Sequence, residues 1–283
     1  MAVKVVTDST ADLPPGLLEE FDVAVVPLQV IFGREVYREG LEIDHETFYH
    51  RLLHGQVFPT TSAPAVGDFL EVYDSLSGAA DGILSIHLSA RLSATYGAAC
   101  QAAQIAQERG LNVEVIDSRT GSLAMGFLVL QACRAAARGA SLAEVAALVN
   151  SLREKVRVYF LLDTLEYLRK GGRIGRASAF LGNLLQVKPI LSIRDGEVYP
   201  EARVRTRSSA LERLYQLSAG ASAVKEAAVA YSTDREEGEA FRARLAQLYP
   251  HCNIYIARIG PVLGAHVGPG VVGAGFLQGD DGA

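Results

Sequence analysis

The sequence predicts an α/β protein of two lobes: an N-terminal α/β lobe with a largely parallel sheet and a C-terminal α/β lobe with a mixed or antiparallel sheet. In the first half, short β-branched runs alternate with helical stretches, an order typical of parallel strands joined by right-handed crossovers. In the second half, two β-rich runs flank Asp195-Gly196, a dipeptide typical of tight hairpin turns. The 283 residues are enough for two domains of modest size.

The N-terminal lobe is assigned to residues 1–155. Residues 3–6 are predicted to form the first strand, and Pro14-Pro15 then open a helix, since proline fits the first helical turn. Residues 23–32 are interpreted as one extended run that ends at a turn beginning with Gly33. The rest of this lobe alternates between helices near 44–54, 65–76, 93–109 and a fourth that ends near Gly139, and strands at 82–87 and 113–116.

The C-terminal lobe is assigned to residues 156–283. It begins with a strand at 156–162, and the hairpin around Asp195-Gly196 pairs residues 188–193 with residues 198–204. A helix at 206–219, a strand at 227–232, a helix at 235–248 and a strand at 253–258 complete the pattern. The tail, residues 260–279, is rich in Gly and Val and receives no assigned element.

Composition excludes several functional classes. The net charge of −5 argues against a protein that coats nucleic acid. The sequence contains no run of about 18 apolar residues, the length that a membrane span requires. We therefore expect at most transient membrane contact. The first residues lack the apolar stretch of a signal peptide, and the three cysteines are too scattered for a disulfide framework. We therefore expect a cytoplasmic protein.

Ser93 lies in a Ser-rich loop between a predicted strand and a predicted helix, with Thr95 in the first turn of that helix. Unpaired backbone N–H groups and the positive end of the helix dipole favour an anion at such a position. Ligands of open α/β sheets also bind at this edge, beyond the carboxyl ends of the strands. The alternative is that Ser93 merely caps its helix, and the sequence alone favours that alternative.

A second group of hydroxyl side chains, Thr60, Thr61 and Ser62, lies between Pro59 and Pro64. The two prolines stiffen an extended loop that presents hydroxyl donors to a small oxyanion. An ST-turn with a helix cap is the alternative, and it is preferred for this loop taken alone. Two such loops in one lobe make a shared anion site a stronger hypothesis than either loop does singly.

His266 precedes a glycine-rich turn in the tail. Gly268, Gly270 and Gly273 spell GxGxxG, but that fingerprint requires a preceding strand and a following helix, and β-branched residues follow here. We therefore reject a dinucleotide site. We expect the glycines to form a tight turn that brings His266 close to another part of the molecule, although a single histidine is more often packed or exposed than functional.

Metal and nucleotide sites are not predicted. Glu46, His50 and His54 share one helix face, but the spacing of His45 and His50 is not that of the HExxH zinc motif, so we prefer an exposed helix face. The phosphate-binding pattern GxxxxGK[ST] is absent from the sequence, which argues against an enzyme that binds ATP on its own.

Arg203, Arg205 and Arg207 alternate along a predicted strand, so we expect their side chains to project from one face. Three like charges on one face favour either a solvated surface or an acidic partner. The solvated surface is the default interpretation.

Seven short motifs follow one another along nearly the whole chain. They are VTDSTADL at 6–13, TSAP at 61–64, LSATY at 92–96, VIDS at 115–118, DTLEYLRKGGRI at 163–174, KPIL at 188–191 and HVGPG at 266–270. Each motif is weak alone, but in this order they resemble the DegV family. Members of that family bind fatty acids and serve as acyl-presenting subunits of bacterial fatty acid kinase.

The resemblance implies that one long-chain fatty acid, such as palmitate or oleate, is bound in a buried tunnel between or beside the lobes. The carboxylate-binding threonine and serine of the family correspond to Thr61 and Ser93, with Ser62 and Thr95 beside them. The family's histidine corresponds to His266, so the tail is expected to return to the ligand site. The fatty acid is the ligand, and no cofactor is implied.

The resemblance also implies a partner. A separate ATP-dependent fatty acid kinase would phosphorylate the bound carboxylate for phospholipid synthesis, so this chain is expected to be a binding protein and not an enzyme by itself. The family's kinase-docking arginine corresponds to Arg205, with Arg203 beside it. The chain departs from the family pattern at Ala63, where Gln is usual, and at Ala94, where Gly is usual.

Two alternatives stay open. The first is an enzyme that binds a small metabolite, because the fold resembles the substrate-binding part of dihydroxyacetone kinases. The second is a lipid carrier or sensor without a kinase partner.

Overall fold

The computed structural model describes residues 3–181 and 187–279, and its first half contains a four-stranded parallel sheet. The strand order is β2-β1-β6-β7, which confirms the predicted parallel arrangement. The elements are β1 (Val3–Asp8), α1 (Pro15–Glu20), β2 (Ala24–Val26), β3 (Gln29–Phe32), β4 (Glu35–Arg38), α2 (His45–His54), β5 (Thr60–Ser62), α3 (Val66–Leu76), β6 (Gly82–His87), α4 (Thr95–Glu108), β7 (Val113–Asp117), α5 (Ser122–Ala137) and α6 (Leu142–Arg153).

The second half contains a six-stranded sheet in the order β10-β9-β8-β13-β11-β12. Its mixed character confirms the prediction, whereas the sixth strand, β13, was not predicted. The β11–β12 pair is parallel, and the other pairs are antiparallel. The elements are β8 (Val156–Leu161), α7 (Glu166–Lys170), β9 (Lys188–Arg194), β10 (Glu197–Val204), α8 (Arg207–Ala219), β11 (Val224–Tyr231), α9 (Arg235–Leu248), β12 (Ile254–Arg258), α10 (Pro261–Val267) and β13 (Val272–Gln278). A lobe boundary near residue 155 stays a prediction.

The extended run predicted at 23–32 is two strands in two sheets. β2 pairs with β1 in the parallel sheet, whereas β3 pairs antiparallel with β4 and β5 in a small three-stranded sheet. Pro27 lies between the two strands and lacks the N–H that a continuous ladder would need. The small sheet holds the Thr61 loop as the edge strand β5, so this loop is more regular than predicted.

The glycine-rich tail also forms regular structure. After α10, β13 runs through the middle of the mixed sheet between β8 and β11. A Cβ atom added at Gly273 would lie 3.3 Å from the Cβ of Phe160, so the small residues of β13 allow close packing against β8. The sequence does not predict this strand, because it contains glycine and alanine, which have low strand propensity.

Helix α5 lies between the two large sheets and organises the core. It contacts β1 and β6 on one side and β8, β11 and β13 on the other. Most of its side chains are buried around the whole circumference, as expected for a central helix. Among the described residues, every helix falls short of the length and apolarity needed for a bilayer span.

Candidate functional site

A cavity of about 350 Å³, here called the apolar cavity, is bounded by elements of both lobes. Its volume lies in the range typical of small-molecule sites, which is about 300–1,000 Å³. Most of its lining is aliphatic or aromatic and includes Leu88, Leu92, Leu123, Phe160, Ile193 and Val271. Such a lining favours a ligand with a large apolar surface.

Polar side chains are concentrated in one part of this lining. The Nε2 atom of His266 lies 2.8 Å from the Oγ1 atom of Thr61, across 205 residues of sequence. Arg173 donates from Nε to the carbonyl of Leu92 at 3.1 Å, next to Ser93. The charge of Arg173 also acts on His266, which links the two groups. Thr61, Ser93, Arg173 and His266 all line this cavity.

His266 is held in its neutral form by its surroundings. Burial, followed by the charge of Arg173, lowers the pKa of His266 to about 4. Its Nδ1 atom is buried and has no hydrogen-bond partner among the described residues. The turn after α10 includes Gly268 at a φ of 79° and Gly270 at 71°, a left-handed conformation that favours glycine. This turn follows α10, and His266 in the last turn of that helix lies against Thr61.

Ser93 both contacts the start of a helix and lines the cavity. Its hydroxyl accepts from the Thr95 N–H at 3.3 Å and shares a hydrogen bond of 2.8 Å with the Thr95 hydroxyl. Thr95 is fully buried and holds Ser93 from behind instead of lining the cavity. Ser62 lines the cavity, but its hydroxyl donates to the carbonyl of Ala63 at 3.1 Å. Ala94, and not Ser93, is the cap residue of α4, so Ser93 contacts the first helical N–H without being the cap, and it also lines the cavity.

The three alternating arginines do not share one strand face. β10 ends at Val204, so Arg205 follows the strand and Arg207 is the first residue of α8. Arg203 lies over the ring of Phe180, with 5.6 Å between its guanidinium carbon and the ring centroid. Arg205 is exposed and forms no ion pair or hydrogen bond within the described part of the chain.

Arg207 is committed to internal contacts and is not available to a partner. Its guanidinium is paired with Glu237 and Asp163, and it donates to the carbonyl of Gly270 at 2.6 Å. The expectation of one arginine face is therefore wrong for Arg207, because the chain has already turned into a helix.

Helix α2 carries the residues considered for metal binding. Glu46 pairs with Arg258, and the rings of His50 and His54 lie 5.0 Å apart on the same helix. Within residues 3–181 and 187–279, no three His, Cys, Asp or Glu side chains are grouped to hold a metal ion.

Sequence reasoning missed two features. The DTLEYLRKGGRI motif indicates no role for Arg173, whereas in the structure Arg173 contacts the carbonyl of Leu92 and lines the cavity. Two buried carboxyl groups, Asp12 and Glu39, accept hydrogen bonds from the backbone at the start of α10. Burial is the main cause that raises the pKa of Asp12 to about 7 and that of Glu39 to about 8. No local pattern signals these contacts.

The family model that matches this chain, over residues 2–279, is that of the DegV family. The chain belongs to the DegV family. It is 36% identical over 277 residues to Protein DegV of Bacillus subtilis (strain 168), which covers 96% of this chain and 98% of that protein. The family resemblance found in the sequence is thereby confirmed.

Solved structures of DegV proteins share this fold. A fatty-acid-binding DegV family protein from Thermus thermophilus has a TM-score of 0.89 and 36% identity, with 98% of this chain and 100% of that chain covered. A stearic-acid-binding protein from Eubacterium ventriosum has a TM-score of 0.91 and 27% identity, with 98% of each chain covered. These relatives are described by the fatty acid they bind and not as enzymes, in agreement with the expectation of a binding protein.

Proposed function

We propose that this DegV protein binds one long-chain fatty acid, with the alkyl chain in the apolar cavity and the carboxylate at Thr61, Ser93 and His266. The observation that carries the proposal is the junction of an apolar cavity with one polar cluster. Fatty acid binding by the Thermus thermophilus relative, which is 36% identical, supports the same ligand class here.

Burial of the alkyl chain supplies most of the affinity. Each buried methylene contributes about 0.8 kcal/mol, so a chain of about 16 carbons gains more than about 10 kcal/mol before the costs of association. The leucine, phenylalanine and valine side chains of the cavity provide the matching surface. The polar cluster therefore contributes a smaller part of the affinity and also fixes the position of the carboxylate.

The polar cluster suits a carboxylate for two reasons. The hydroxyl groups of Thr61 and Ser93 supply donors, and the guanidinium of Arg173 lies beside them as a positive charge. Because His266 is neutral, it can donate one N–H to the carboxylate. The site then does not have to bury a charged imidazole in addition to the charged carboxylate. Ser62 and Thr95 support this arrangement from the loop and from the helix.

We further propose that the bound carboxylate is presented to a separate ATP-dependent fatty acid kinase, for acyl-phosphate formation and phospholipid synthesis. Arg205 is the residue proposed to dock that kinase, because it is exposed and unpaired among the described residues. Arg203 is proposed to contribute beside it, although its contact with Phe180 already occupies one face of its guanidinium.

The lining of the apolar cavity argues against the first alternative, an enzyme that binds a small metabolite. A small polyol substrate needs several hydrogen-bonding groups around it, whereas most of this lining is apolar. A carrier or sensor without a kinase has the same cavity and is distinguished by partner-dependent phosphorylation.

The first experiment is native mass spectrometry of the purified protein, followed by denaturation and identification of the released ligand. We expect one fatty acid per chain and identify palmitate or oleate as the candidates. A protein that is empty, and stays empty after incubation with palmitate and oleate, would overturn the proposal.

The carboxylate site is tested with the double variant Thr61→Ala, Ser93→Ala. We expect weaker fatty acid binding, because the variant loses two donors while the apolar cavity is retained. Thr60→Ala is the matched control, since Thr60 is the exposed neighbour of Thr61 in β5. Unchanged lipid retention in the double variant would refute the carboxylate assignment.

The docking role is tested with Arg205→Ala and a purified fatty acid kinase. We expect normal fatty acid binding and a large loss of acyl-phosphate formation. Arg235→Ala removes another exposed arginine and is the control. Equal loss in both variants would contradict a specific docking role for Arg205.

A further inference from the structure

A second cavity, here called the arginine-lined cavity, has a volume of about 390 Å³ and lies next to the apolar cavity. Val158 and Ile193 line both cavities, so the two share a wall. In contrast to the apolar cavity, this one is lined mainly by polar and charged side chains. Four of them are arginines from separate elements: Arg119, Arg153, Arg157 and Arg194.

Two of these arginines have carboxylate partners within hydrogen-bond distance. Arg194 pairs with Glu201 at 2.6 Å, and Arg119 pairs with Glu154 at 3.2 Å. The Glu201 side chain is 9% exposed and also accepts from Ser192, so it is committed to this network.

The other two arginines donate to backbone carbonyl groups. Arg157 donates to the carbonyls of Glu154 and Val156, both at 2.8 Å, and Arg153 donates from Nη1 to the carbonyl of Asp117 at 3.1 Å. The nearest approach of Arg153 to Glu154 is 3.7 Å from Nε, which is too long for a hydrogen bond. At that distance Glu154 still forms an ion pair with Arg153. The carbonyl groups satisfy the donors of Arg157, but leave its charge without a carboxylate partner among the described residues. Asp195 also lines this cavity.

Two buried donors at this cavity also lack partners. Neither the Thr120 hydroxyl nor the Arg153 Nε has a hydrogen-bond partner among the described residues. Thr120 is 6% exposed and lines the cavity. A buried donor without a partner destabilises the folded state, so a ligand that accepts from both donors would remove that cost.

We propose that the arginine-lined cavity binds a small soluble anion that carries a phosphate group. Guanidinium groups match phosphate oxygens in pairs, and Arg153, Arg157 and the Thr120 hydroxyl offer donors from a helix end, a strand and a loop. The volume exceeds that of a single ion and lies within the range of small-molecule sites, about 300–1,000 Å³. This proposal does not depend on the ligand of the apolar cavity.

The first test is isothermal titration of the purified protein with inorganic pyrophosphate. The double variant Arg153→Gln, Arg157→Gln should bind pyrophosphate at least about tenfold more weakly, because each lost charged hydrogen bond is worth at least that factor. Arg242→Gln is the control, since it removes an exposed arginine that pairs with Glu239 and does not line this cavity. Equal weakening in the control, or undiminished binding by the double variant, would overturn the proposal.

Thr120→Val separates a binding role from a structural one. Valine has nearly the shape of threonine and removes a hydroxyl that has no partner, so thermal stability without ligand should stay equal or rise. Pyrophosphate affinity should fall all the same. A fall in stability with unchanged affinity would show that the hydroxyl has a structural role, and would contradict the proposal.

A further arm distinguishes a soluble ligand from a lipid headgroup. Vesicles of phosphatidylglycerol are compared with vesicles of phosphatidylcholine in a flotation assay on the wild type and the arginine double variant. We expect no difference between the two proteins. Binding to phosphatidylglycerol that depends on Arg153 and Arg157, without binding of pyrophosphate, would overturn the assignment of a soluble ligand.

Discussion

Buried titratable side chains lie at both ends of helix α10, two carboxyl groups at its start and one imidazole at its end. At the N-terminal end, two backbone N–H groups donate to Asp12 and Glu39 at 2.9 and 2.8 Å. At the C-terminal end, His266 lies 2.8 Å from Thr61. Each end has one buried atom without a partner among the described residues, namely Glu39 Oε2 and His266 Nδ1.

Burial favours the neutral form at both ends, but the two clusters differ in what they contact. Asp12 and Glu39 bind the backbone at the start of the helix, and thereby fix its position. His266 makes one side-chain contact and lines the apolar cavity. Changes at the acidic end should therefore alter stability first, and changes at the histidine end should alter ligand binding first.

The largest effect should come from pH at the acidic end. Glu39 has a pKa of about 8 in the folded protein, against an ordinary value of 4.5, so between these values the folded state holds a proton that the unfolded state has lost. Stability should therefore fall as pH rises through this window, by at most roughly 5 kcal/mol for this group. Asp12 adds a fall in the same direction below about pH 7.

Guanidinium unfolding at about pH 5 and about pH 9 measures this slope. Glu39→Gln keeps an acceptor for the backbone N–H and removes the titration, so the variant should be more stable than the wild type at about pH 9. Glu108→Gln, an exposed carboxyl, should leave the slope unchanged. A wild type that gains stability up to about pH 9 would contradict the buried-acid interpretation.

The second effect is the opposite slope at the histidine end. The pKa of His266 is lowered from 6.5 to about 4. Between these two pH values, His266 is therefore protonated in the unfolded chain and neutral in the folded protein. Stability should fall as pH drops from 6.5 towards 4, by at most roughly 3 kcal/mol for this group. The difference between the wild type and His266→Gln isolates this contribution from other acids, and exposed His54→Gln is the control. Parallel curves for the wild type and His266→Gln would refute it.

The contrast also shows what sequence can predict. The parallel sheet follows from local alternation of β-branched and helical segments, and the loop at Ser93 is predicted in the same way. The Thr61 segment was predicted as a loop, but it pairs with β3 as the edge strand β5. The Asp12 and Glu39 contacts with α10 span 248 and 223 residues, so no local pattern predicts them. β13 was missed for a related reason, because its glycines become a strand only between β8 and β11.

The third effect tests the packing of the acidic end. A Cβ atom at Gly260 would lie 2.5 Å from Glu39 Oε1 and 3.1 Å from Asp12 Oδ1. Gly260→Ala should therefore lower the free energy of unfolding by about 1–3 kcal/mol, the usual cost of overpacking a buried site. Gly67→Ala, on α3 with open space around its Cβ position, is the control and should be neutral or slightly stabilising. Equal stability of the two variants would mean that Glu39 can move without cost.

The smallest expected change in stability accompanies a specific change in binding at the histidine end. A Cβ atom at Gly171 would lie 2.2 Å from His266 Nδ1, so Gly171→Ala must displace the ring and break its hydrogen bond to Thr61. We expect fatty acid affinity to fall by about tenfold while stability falls by only about 1 kcal/mol. Gly97→Ala, which has open space on α4, is the control.

A double-mutant cycle decides whether Gly171→Ala acts through His266. If it does, adding Gly171→Ala to His266→Ala should cost no further affinity, because the clash and the hydrogen bond are both already gone. Additive losses would instead place the effect of Gly171 elsewhere, for example at the Tyr167 carbonyl, which lies 3.1 Å from the same Cβ position. Because Gly260 has no contact with His266, the same cycle with Gly260→Ala should be additive, and this difference between the two glycines would separate the two ends of α10.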